Sequence, residues 1–203
     1  MIRAFLVWLQ NSLGKGAGDD AQSWSEALLG SLNLWSLLEG THLLALMLFA
    51  GTIFIVDLRL LGVTFRQTKI SVISERILPL TIVGFGLMVA TGLALFFAKP
   101  LFYYHNIWFR AKLVVLALAM INILVFHLRA RIQGARWDAL RATPFSVRMI
   151  AGLSLAAWLA VITLGRFIAY DWYECGKPIP HWINVAQDCK VSEKGALDAV
   201  AAP

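Results

Sequence analysis

His42 lies inside a long apolar run with Glu39 one helical turn before it, and that pairing is the clearest chemical signal in the chain. An imidazole at membrane depth is expensive to place, so it reads as a metal ligand or a proton carrier by default. At 100° per residue, Glu39, His42, Phe49, Ile53 and Asp57 fall within an arc of roughly 80° on one helix face. His105 and Lys112 are spaced to share nearly one face of a later helix. Antiparallel packing then brings His42, His105, Lys112 and Arg166 to a similar depth. His127 follows Lys112 by about 22 Å of helix and cannot join them. A two-histidine site must therefore be His42 with His105.

That constellation fits haem b. An iron porphyrin takes two neutral imidazoles facing each other across a bundle, each ring fixed by a hydrogen-bond acceptor. Glu39 is placed to be that acceptor for His42. Arg110, Lys112 and Arg166 are cations for the propionates or for a quinone carbonyl, and Phe49, Phe85, Trp108, Phe109 and Trp158 are wall material. Plainer readings stand beside this one. His105 follows Tyr103-Tyr104 in a short connection and suits a headgroup-level side chain equally well. Arg110 and Lys112 can snorkel outward from the start of a span. His127, ahead of Leu-Arg-Ala-Arg, suits the cytosol, and Asp57 with Arg59 suits an ion pair closing a helix end.

The elements that must position these residues follow from composition. Of the 203 residues 59% are hydrophobic and only 15% charged, against roughly 45–50% and 25% in soluble domains. Leu43–Val56, Ile77–Ala98, Leu113–Phe126 and Met149–Gly165 contain no Lys, Arg, Asp or Glu. Extended to their flanking polar residues they reach about 20 residues or more, enough for ~30 Å of hydrocarbon. Soluble enzymes, disordered tails and disulfide-rich secreted modules are excluded. The expected fold is an all-α, integral membrane, up-down four-helix bundle, with spans near 40–62, 77–98, 107–129 and 148–170.

Charge sets the expected orientation. The first and third connections with their edges hold nine basic residues and three acidic ones, a net of +6, and the rest of the chain balances to zero. Short Lys/Arg-rich loops stay in the cytoplasm. Both termini then lie on the periplasmic side of a bacterial inner membrane, and the positive charge reports topology rather than nucleic-acid binding. Residues 1–38 form an external segment in which Ser23 and Glu26 have capping-box spacing. They open an interfacial helix on the outer leaflet, or else an extension of the first span. The tail, 171–203, is polar and external. Cys175 and Cys189 are placed to staple it with a disulfide, which an oxidising compartment permits. A metal-binding thiol pair with His181 is the rival.

The stretch Glu39-x-x-His42-Leu-Leu-Ala-Leu-Met-Leu-Phe-Ala-Gly51, continuing to Asp57-Leu-Arg59-Leu-Leu-Gly62, resembles the first span of an uncharacterised bacterial family of four-helix membrane proteins. More remotely it is similar to copper-resistance D-type and HemJ-type protoporphyrinogen oxidase membrane proteins. Those share an early histidine, an Ala-Gly or Gly-Gly step and an Arg-Leu near the helix end. Phe109-Arg-Ala-Lys112-Leu resembles their Lys-Leu opening of the third span. The resemblance implies a compact bundle that binds haem or handles copper near the outer face. The HemJ type places a second histidine after the Lys-Leu step, and here Asn122 occupies that position, a poor haem ligand.

Three functions follow as expectations. The first is a haem-b or redox-linked subunit passing electrons between an external donor and quinone or a partner subunit, with His42 and His105 as iron ligands. The second is a copper-handling protein of the copper-resistance D kind, for which Met47, Met88, Met120 and Met149 are the soft ligands. The third is a non-catalytic structural or assembly subunit of a larger membrane complex. The expected partners are the lipid bilayer and other membrane or periplasmic redox subunits.

Overall fold

The four charge-free blocks are helical because a backbone in hydrocarbon must pair its own N–H and C=O groups. A computed structural model of the chain describes residues 2–12, 14–15, 22–65, 67–139, 143–170, 173 and 180–187. In chain order the elements are α1 (Ile2–Ser12), β1 (Gly14–Lys15), β2 (Gln22–Ser23), α2 (Trp24–Gly30), α3 (Leu32–Leu61), α4 (Ile70–Ala98), α5 (Pro100–His105), α6 (Ile107–Ala139), α7 (Phe145–Tyr170) and α8 (His181–Ala186). Helices α3, α4, α6 and α7 are long and apolar enough to cross a membrane. The protein is an all-α, multi-pass membrane bundle of these four. The two short strands pair as an antiparallel ribbon, Gly14 with Ser23 and Lys15 with Gln22.

The helix ends follow local chemistry. The Ser23 hydroxyl accepts from the Glu26 N–H at 3.2 Å while the Glu26 carboxylate accepts from the Ser23 N–H at 3.0 Å. This reciprocal box starts α2. The chain breaks at Ser31 rather than running on, and α3 begins afresh with the Ser31 hydroxyl accepting from Leu34. The residues before the first span thus form a separate helix. Ser25 ties it to the bundle by donating to the Ala98 carbonyl at the end of α4. At the opposite end α3 stops at Gly62, whose φ of 79° is the left-handed conformation that closes a helix.

Glycine sets the register of α3 on α4. A Cβ on Gly84 would stand 3.0 Å from the Phe49 backbone nitrogen, and one on Gly92 would stand 3.1 Å from His42 Cε1. His42 and Phe49 are seven residues apart on α3 and Gly84 and Gly92 eight apart on α4, so one antiparallel register brings both pairs together. Gly86, on the same helix, faces open space. Midway through the bundle Ala45, Phe49, Met88, Ala119, Trp158 and Val161 form the main core. Phe49 meets Trp158 edge-on at 4.9 Å. A second cluster around Leu60, Ile70, Trp137 and Val147 closes the end that carries the basic connections.

Candidate functional site

Two polar places interrupt the apolar interior, one on each side of the Phe49–Trp158 core. The first is centred on His42. Thr91 has one hydroxyl hydrogen and gives it to the Leu87 carbonyl at 2.7 Å, the usual bond of a threonine within a helix. Its oxygen lone pair then faces His42 Nδ1 at 2.9 Å, the arrangement of the tautomer that carries the N–H on Nδ1, and the Met88 carbonyl also accepts from the ring. A neutral imidazole has one N–H and one lone pair, so the lone pair is left on Nε2. The ring lies against Gly92, where any side chain would crowd it.

Lys112 of α6 acts electrostatically on His42. Its ammonium runs beside α7, where a Cβ on Gly165 would stand 3.5 Å from Nζ. No acceptor for that ammonium is recorded among the described residues. All four spanning helices thus contribute: His42 from α3, Thr91 and Gly92 from α4, Lys112 from α6 and Gly165 from α7. An apolar groove of about 520 Å³ between α2, α3 and α4 reaches this place, lined by Thr41, Thr91, Trp24, Leu28 and Phe97 among others.

The remaining expected site residues are placed differently. Glu39, expected to accept from His42, is exposed, and Thr91 holds the ring in its stead. Glu39 acts on Tyr103 of α5, whose phenol is pushed up to about 12, first by burial and then by that carboxylate. His105 ends α5 and donates from Nδ1 to the Gln187 carbonyl at 2.8 Å. That leaves its Nε2 lone pair free as well, but its partner is the C-terminal segment rather than the His42 cluster. Arg110 donates to the carbonyls of Tyr104 at 2.9 Å, Ala186 and Gln187, and its guanidinium covers the Tyr104 ring at 4.8 Å. It clamps α8 onto the bundle. Arg166 is exposed on α7 and donates to the Tyr170 hydroxyl at 3.0 Å. Cys175 and Cys189, with Asp171, lie outside the described residues.

The second polar place lies on the other side of the core. A cavity of about 240 Å³ is lined by Phe49, Phe85, Phe126, Asp57, Asn122 and Ser154 among others, with His127 at its edge. Asp57 is 5% exposed. It accepts from Ser154, while Oδ2 has no partner. The ion pair expected between Asp57 and Arg59 does not form. Residues two apart point away from each other on a helix, and Arg59 Nε donates to the Thr68 carbonyl at 2.8 Å across the turn. Asn122 donates to the Ile150 carbonyl at 3.1 Å and so bridges α6 and α7. Among the described residues no three His, Cys, Asp or Glu side chains converge as metal ligands.

One family match covers α3 to α7 and every side chain of both places, from residue 34 to residue 171. The chain belongs to DUF6644, a family of unknown function. No curated protein and no solved structure matches the chain.

Two features of that site were missed by sequence reasoning. Thr91 is an uncharged side chain in an apolar run, and its signal is the neighbouring Gly92, the residue that makes room for the imidazole. Ser154, the partner of Asp57, is a small hydroxyl in a long apolar run and gives no signal of its own.

Proposed function

We propose that this DUF6644 protein is a small redox-linked subunit of a bacterial inner membrane. It holds haem b at His42 and passes electrons between an external donor and the quinone pool or a partner subunit. The observation that carries the reading is the bond from His42 Nδ1 to Thr91. Metal-bound histidines donate their other ring N–H to a fixed oxygen, which orients the ring and aims the ligating lone pair. Here the oxygen belongs to a threonine that is itself held by Leu87.

The residues present suit the group. His42 would hold the iron through Nε2, and Lys112 would be the cation beside it for a propionate. An ammonium beside the imidazole favours an anionic cofactor over a bare metal ion, which supports haem over copper. His105 is the candidate for the second ligand, since its Nε2 lone pair is also left free. Bound haem would supply one-electron transfer, and the bundle would supply the ligand, the low dielectric and the access. The basic connections face the cytoplasm in this reading, so the His42 end lies toward the periplasm.

The test is a reduced-minus-oxidised visible spectrum of the purified chain expressed with ample haem. A sharp α-band is expected, abolished in His42→Ala. In Thr91→Val, which keeps the side-chain shape but removes the acceptor, haem affinity should fall about 10- to 100-fold. Loss of the band in His105→Ala as well would make the iron a bis-histidine centre. A flat wild-type spectrum removes haem from the account.

A further inference from the structure

The cavity around Asp57 has a chemistry of its own. Several of its polar side chains are already engaged. Thr52 donates to the Phe49 carbonyl at 2.7 Å, Thr81 to the Ile77 carbonyl at 3.1 Å and Asn122 to the Ile150 carbonyl at 3.1 Å. Ser154 donates to Asp57, and Ser74 also lines the space. Asp57 Oδ2, in a carboxyl group that is 5% exposed, has no partner among the described residues. Leaving such an atom buried without a partner is costly. A phenol matches it in either protonation state, since its O–H donates to a carboxylate and its oxygen accepts from a carboxylic acid.

Size and access narrow the occupant. An engineered apolar cavity of about 150 Å³ binds benzene, so about 240 Å³ has room for one substituted ring. Phe49, Phe85 and Phe126 supply aromatic walls. They suit a flat ring and do not suit a small cation, which needs oxygen ligands on all sides. The lining also includes Leu78, Ile82 and Met120, which are exposed on the outer surfaces of α4 and α6, Ile82 by 60%. The mouth thus opens sideways on surfaces that meet acyl chains, the route for a molecule carried in the bilayer.

We infer that this cavity binds the ring of a lipid-borne hydroquinone, with one phenolic O–H donating to Asp57 Oδ2 and the tail leaving between α4 and α6. The inference deepens the redox reading by giving it a site for the membrane-soluble partner. It does not require haem at His42, because ring binding is measured separately from any spectrum, so either idea can fail alone.

The experiment is calorimetric titration of the full chain in lipid nanodiscs with two tailless probes, tetramethylhydroquinone and its quinone. The quinone has acceptors only and can meet Oδ2 only when the carboxyl group carries its proton, so the titrations are run at alkaline pH under argon, where it is a carboxylate. Wild type should bind the hydroquinone at least about tenfold more tightly than the quinone. In Asp57→Asn the amide can present an N–H, so the preference should vanish or reverse. A cavity with no ligand role has no reason to invert it. Ile82→Trp, at the lipid-facing mouth, should weaken both probes, and it carries the test if Asp57→Asn fails to fold. No saturable binding of either probe by wild type overturns the inference. So does an unchanged preference in folded Asp57→Asn, or sodium binding at Asp57 without hydroquinone binding.

Discussion

A hydrogen bond between two uncharged side chains, His42 and Thr91, settles more here than any of the charges. Among the described charged residues of the His42 end, Arg110 serves as a clamp, Arg166 turns outward, and Lys112 stays with the histidine. Glu39 acts on Tyr103 instead, and this gives a prediction in pH. The Tyr103 phenol should hold its proton to about pH 12 in the folded protein, against an ordinary value of 10.0. Its contribution to stability is therefore whole below the ordinary value and is lost as pH rises through about 12. Ultraviolet titration of phenolate, wild type minus Tyr103→Phe, should show that midpoint. Because burial is the larger cause, Glu39→Gln should lower it by the lesser part of the shift. A Tyr103 midpoint at the ordinary value would mean that the phenol is open to water.

For the helices, much was legible in advance. Charge-free blocks that reach the thickness of the hydrocarbon once extended to their polar flanks announce spans whatever surrounds them, and Ser23 with Glu26 announced the start of α2. What could not be read was register. Helical phase shows which residues share a face, but the slide of α3 against α4 depends on backbone contact at one glycine out of several. Gly84 and Gly86 look alike in sequence, yet one meets the Phe49 backbone and the other meets nothing. Gly84→Ala should therefore destabilise the bundle by about 1–2 kcal/mol, overpacking offset in part by better helix propensity. Gly86→Ala should be neutral or slightly stabilising. Unfolding in mixed detergent micelles compares the two, and equal effects would show that Gly84 does not set the seam. The partners of Asp57 and His42 were hidden for the same reason, since each lies across a seam whose register was unknown.

The whole molecule has an orientation that labelling can read. Leu32, at the start of α3, and Ile132, in the basic end of α6, are each 81% exposed. With Cys175 and Cys189 replaced by serine, a membrane-impermeant maleimide should label Leu32→Cys in bacterial cells whose outer membrane has been made permeable. It should reach Ile132→Cys only after the inner membrane is broken. Reversed labelling would turn the protein over and place the His42 end in the cytoplasm. The His42 end also carries α8, and its attachment has an evolutionary consequence. His105 and Arg110 lie within the family match, whereas Ala186 and Gln187 lie beyond it and meet them through main-chain carbonyls. Such a latch does not itself read side chains, so position 186 is open to substitution, while Gln187, buried and donating to the Tyr173 carbonyl at 2.7 Å, is held by its side chain as well. Tails can drift in sequence around that one glutamine and still dock in the same place as long as the backbone there turns the same way.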